Sequence, residues 1–76
     1  MIVSEDKFKQ IVNDLITKER TDDSSFYIMR TEKNNAILII ETDKEFHACP
    51  IRGWDTPNKK SMLLLNLNNL IMVSRK

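Results

Sequence analysis

Residues 36–42 read AILIIET, and the run opens on five consecutive apolar positions, Ala36 to Ile40. A strand sends successive side chains to opposite faces of its sheet. An antiparallel strand with one wet face should therefore alternate apolar and polar residues. Ala36–Ile40 does not alternate, so as a strand it wants cover on both faces. The same holds for Met62 to Leu65 and for Leu70 to Val73, if those runs are strands too.

Working outward from that stretch, FYIMRTE (26–32) is aromatic and β-branched enough for a strand, and KNN (33–35) reads as the turn after it. Asp43-Lys44 is a second tight turn, leading into EFHACPIR (45–52) as a third strand. Pro50 removes a ladder donor there, which places that part of the strand at a sheet edge or a bulge. GWDTPNKK (53–60) reads as a loop, with Pro57-Asn58 suited to the centre of a type I turn. The pattern then predicts SMLLLNL (61–67) and LIMVS (70–74) as strands four and five. Asn68-Asn69 would join them, taking the positive φ values of a short connection.

Before the strands, the sequence predicts a helix over 5–20. Ser4 is a suitable N-cap, and Glu5 and Asp6 place negative charge at the favoured end of the helix dipole. Val3 can pack on Phe8 as a hydrophobic staple. Phe8, Ile11, Val12, Leu15 and Ile16 then follow the spacing of one apolar stripe. TDDSS (21–25) ends the helix in a polar connection.

These elements predict a single α+β domain over 1–76, an N-terminal amphipathic helix packed on a curled, four- to five-stranded antiparallel sheet. One helix about 24 Å long and about 10 Å wide covers such a sheet only in part. Curling the strands into a small barrel would bury one face inside. The apolar residues left outside would mark an interface, so the chain reads as an oligomer or an obligate binder. The alternative is that the strand register is misjudged.

Composition narrows the classes further. With 76 residues there is room for one domain and a marginal core. A single cysteine excludes an intrachain disulfide and fits a reducing cytoplasm. Met1 to Ser4 run straight into a charged helix, so no signal peptide is expected. The apolar stretch Met62–Val73 spans twelve residues with three asparagines, too short and too polar to cross a bilayer. Residues 1–45 carry seven Lys/Arg against ten Asp/Glu, whereas residues 46–76 carry five against one. Such a bipolar chain suits head-to-tail contacts or a basic docking face.

FHACPIRGWD (46–55) gathers the only histidine, cysteine, glycine and tryptophan of the chain. On a strand, His47 and Cys49 would share a face and could supply two metal ligands. A structural zinc wants four, and only a symmetric dimer could complete the set, so no metal or cofactor is expected. A Cys-His nucleophile pair would need an oxyanion hole and a pocket that nothing nearby supplies. There is no Gly-rich phosphate loop and no Ser/His/Asp set. The sequence therefore predicts no enzyme.

A nucleic-acid contact has more in its favour. Arg52, Trp54, Lys59 and Lys60 fall in or beside one loop, and Arg75 and Lys76 close the sequence. Cations around an aromatic suit base stacking and phosphate neutralisation. The competing reading makes Trp54 a plug at one end of the core, with Gly53 freeing the backbone angle and the lysines solvated. A helix followed by five short strands, with IRGWD (51–55) before an apolar strand and NNLIMVSR (68–75) at the close, resembles in outline the Sm-like RNA-binding barrels. That resemblance implies a small barrel and an RNA partner. The Asp-Gly turn of that family is replaced here by Lys33-Asn34-Asn35 and Asp43-Lys44, so none of its contact residues carries over. The leading expectation is a non-enzymatic, self-associating protein-interaction module. A small nucleic-acid-binding barrel is the alternative.

Overall fold

The computed structural model describes residues 1–74. In chain order the elements are β1 (Ile2–Ser4), α1 (Glu5–Thr17), β2 (Phe26–Arg30), β3 (Ala36–Glu41), β4 (Phe46–Ile51), α2 (Lys59–Leu67) and β5 (Met72–Ser74). Strands β2, β3 and β4 form an antiparallel meander in that order, while β1 and β5 form a separate parallel pair. The fold is α+β, as the sequence predicts, but the sheet does not close into a barrel.

α1 starts where the sequence places it. The Ser4 side chain accepts from the Lys7 backbone N–H at 3.1 Å, and Glu5 and Asp6 occupy the first turn. The helix stops at Thr17, short of the expected residue 20, because Glu19 adopts a left-handed backbone at φ 61°. That conformation turns the chain back along β2, and the Ile28 N–H donates to the Glu19 carbonyl at 2.8 Å. The two predicted turns lie between β2 and β3 and between β3 and β4. In the second, the Thr42 N–H donates to the Glu45 carbonyl across Asp43-Lys44 at 2.9 Å. β4 is an edge strand, the position where Pro50 costs no ladder bond.

The largest correction concerns residues 61–67, which are helical rather than a fourth strand. KKSMLLLNL contains no β-branched residue, and Leu, Met and Lys are strong helix formers. Leu63 and Leu67, four apart, point into the core and are fully buried. Asn68 consequently continues in right-handed helical geometry, and neither Asn68 nor Asn69 takes the positive φ expected of a hairpin. The expected fifth strand shortens to Met72–Ser74 and pairs with Ile2–Ser4, a strand not anticipated from the sequence. Their register is Ile2 with Met72, Val3 with Val73 and Ser4 with Ser74.

The core lies between the two helices and one face of the meander. Ile11, Val12 and Leu15 of α1 meet Leu63 and Leu67 of α2 above Phe26, Ile28, Ala36, Leu38, Ile40 and Ile51 of the sheet. Trp54 and Ile71 close the ends of that cluster. Both helices therefore sit on the same side of the sheet.

Leu15 is fully buried at the centre of this layer. Leu15→Ala should cost about 2–5 kcal/mol as a large-to-small core change, lowering the melting temperature by roughly 10 °C or more for a domain of this size. Thermal denaturation followed by circular dichroism checks this; an unchanged melting temperature would show that α1 does not rest on the sheet.

Candidate interaction surface

The basic loop is held shut around its tryptophan. Gly53, at φ 77°, turns the chain out of β4, and a Cβ there would meet Thr56 Cγ2 at 3.4 Å. The backbone N–H of Trp54 donates to the Asn34 carbonyl at 2.6 Å, tying the loop to the β2–β3 turn. The indole is 0% exposed, so it presents no free face for a base to stack on. The ammonium of Lys59 lies 5.0 Å from the ring centroid, a cation–π contact. Arg52 and Lys60 remain exposed. Arg75 and Lys76 lie outside the described residues. The stacking geometry invoked for a nucleic-acid contact is thus replaced by a core plug.

Glu19 organises this end of the molecule. Its carboxylate accepts from Trp54 Nε1 at 3.2 Å and from Arg30 Nε at 3.1 Å, with a second bond from the Arg30 guanidinium. Arg30 also pairs with Asp55. One left-handed residue after α1 therefore joins the helix, β2 and the Trp54 loop. The bidentate guanidinium holds the Glu19 carboxyl below the usual carboxylate range, with the indole N–H adding to the effect.

A carboxylate depressed in the folded state stabilises above its unfolded pKa and loses that contribution as the pH falls through its folded value. The Glu19 clamp is thus complete above the ordinary carboxylate pKa of about 4.3 and weakens below it. Emission from the buried Trp54 should be blue-shifted at neutral pH and shift to the red on acidification below that point. Glu19→Gln should remove that step; the same acid transition in wild type and variant would contradict the assignment.

The opposite face of the meander carries the other notable feature. The register aligns Tyr27, Ile39 and Ala48 in one row and Met29, Ile37 and Pro50 in the next. Phe46 sits beside them opposite Glu41. These side chains alternate with the core set, so they project away from both helices. No described element covers them. Phe46 is 63% exposed and Met29 46%, while Ile39, at the centre, is only 4% exposed between its strand neighbours yet does not belong to the core cluster. Three strands of five to six residues give a footprint of roughly 14 by 20 Å. Exposed apolar side chains grouped on one sheet face, as Met29 and Phe46 are, commonly mark an interaction site on a small protein.

The sequence signals this face only through the unbroken apolar run Ala36–Ile40. Tyr27, Met29 and Phe46 carry no motif, and their common side emerges only from the register. A smaller apolar pair, Ile2 and Met72, is exposed across β1 and β5.

His47 and Cys49 do share a face, as their spacing predicts. His47 Nε2 lies 3.5 Å from a Glu45 carboxylate oxygen, and burial pushes the Cys49 thiol up, which disfavours a thiolate nucleophile. Among the described residues, no group of three or more His, Cys, Asp or Glu side chains is placed to hold a metal ion. A groove of about 360 Å³ runs between the helices over Phe8, Val12, Ile16 and Leu64, with Lys9 and Lys60 on its lips. No helix among the described residues is long and apolar enough to cross a membrane.

Comparison of the chain with protein-family models, with curated proteins and with solved structures found no match in any of the three.

Proposed function

We propose that this chain is a small, non-enzymatic interaction module that works through protein–protein contacts and self-associates. The observation that carries the reading is the uncovered apolar face of β2–β3–β4, centred on Ile39 and flanked by Met29, Ile37 and Phe46. Leaving Met29 and Phe46 exposed to water is costly, since each fully buried aliphatic or aromatic residue gains about 1.5–3 kcal/mol on transfer out of water. A contact that covers them recovers that energy. The free thiol of Cys49 fits a reducing compartment such as the cytoplasm.

The nucleic-acid alternative draws on the exposed Arg52 and Lys60, but the ring it needs is in the core and Asp55 stands beside the same loop. No observation favours it over protein contact.

In analytical ultracentrifugation at micromolar concentration, the wild-type protein should sediment as a dimer or larger species, and it should bind a hydrophobic dye. The double variant Met29→Asp, Ile37→Asp places charge on the open face without touching the core and should lose most dye binding. A monomeric wild type that binds no dye would overturn the proposal.

A further inference from the structure

We infer that two copies of this chain pair edge to edge along β4, antiparallel and centred on Ala48, to form one continuous six-stranded sheet. The inference deepens the proposed function and rests on it for the premise that this sheet serves protein contact.

The two edges of the meander are not equivalent. Along β2 the chain itself fills the edge: Thr21 donates to the Phe26 carbonyl at 2.9 Å, Ile28 donates to Glu19, and Arg20 bridges Tyr27. Along β4 no described strand pairs with the outer edge. The bond between Thr42 and Glu45 sets the phase of the β3–β4 ladder. Antiparallel pairs alternate between bonded and non-bonded, so His47, Cys49 and Ile51 bond to β3. Phe46, Ala48 and Pro50 direct their backbone groups outward. Pro50 has no N–H, which leaves two free donors, those of Phe46 and Ala48.

A second copy satisfies this edge. With Ala48 opposite Ala48 of the other copy, the two alanines exchange a pair of hydrogen bonds. Each Phe46 N–H then donates to the other copy's Pro50 carbonyl, giving four bonds in all. The exposed Phe46 ring comes to lie against the opposing pyrrolidine on the apolar face, and the small Ala48 side chains allow close approach at the dyad. In this register Arg52 of each copy falls opposite Lys44 of the other, with Asp43 and Glu45 on either side of that lysine, so the backbone bonding, not charge, sets the direction. The uncovered faces of the two meanders then join into one platform of twice the width.

Ala48→Pro tests the pairing. The Ala48 N–H points away from β3, so the substitution deletes the central donor of the proposed dimer and leaves the internal ladder intact. Wild type should sediment as a dimer, and Ala48→Pro as a monomer with an unchanged circular dichroism spectrum and retained dye binding. A second variant is read without that substitution. Directly bonded antiparallel partners lie about 5.5 Å apart between Cα atoms, within disulfide range. In a Cys49→Ser background, Ala48→Cys should therefore form a covalent dimer under air oxidation, whereas Lys44→Cys should not. A dimer that persists in Ala48→Pro, or fails to cross-link through position 48, overturns the edge pairing and leaves the proposed function standing. A wild-type monomer that still binds dye overturns the edge pairing and the self-association. A monomer without dye binding overturns the proposed function as a whole.

Discussion

Leu38 and Ile40 point into the helical layer, while Ile37 and Ile39, each one residue away, point to the other side of the same strand. The pleat of β3 makes this unavoidable, because successive residues cannot share a face. A strand that is apolar at every position therefore needs two covers, and this chain supplies one. Both helices lie on the inner face because the core-facing stripes of α1 and α2 must bury each other as well as the sheet. Nothing in the described residues is left for the outer face. That imbalance, more than any individual side chain, sets what the molecule is able to do.

The inner layer depends in turn on how its ends are fastened. Glu19 takes a backbone conformation that non-glycine residues adopt at some cost, and its carboxylate reaches both Arg30 and Trp54. This places the one tryptophan under the Lys59 ammonium and closes the core at the end where β4 gives way to α2. At the other end the β1–β5 pair brings residues near the two chain ends into one short ladder. A core this small tolerates little fraying, and both fastenings restrict it.

Much of this was legible in the sequence for identifiable reasons. The Ser4 cap, the acidic first turn and the stripe from Phe8 to Ile16 are local signals, and α1 follows them. Three strands with tight turns were readable from FYIMRTE, AILIIET and the segment around Pro50, whose missing donor fits an edge strand. The run Met62–Leu65 misled because consecutive leucines satisfy a strand buried on both faces as well as a buried helix. The absence of β-branched residues was the local signal that could have decided it. The β1–β5 pair was not legible, since its partners lie at opposite ends of the chain and are held by tertiary packing. At the candidate site, the sequence sets Arg52, Trp54, Lys59 and Lys60 close together along the chain. It could not decide whether the indole faced water, because that depends on the distant carboxylate of Glu19. The apolar face was announced only as an excess of hydrophobic positions in β3.

The central claim is that the uncovered face and open edge of this sheet make a protein contact. It is tested most directly by NMR across a dilution series of the unmodified protein. The account predicts concentration-dependent shifts at Phe46, Ala48 and Pro50 along the open edge, with amide protection of Phe46 and Ala48 rising with concentration, while Leu15 and Leu63 in the core stay unmoved. Spectra that do not change with concentration at these positions would contradict it.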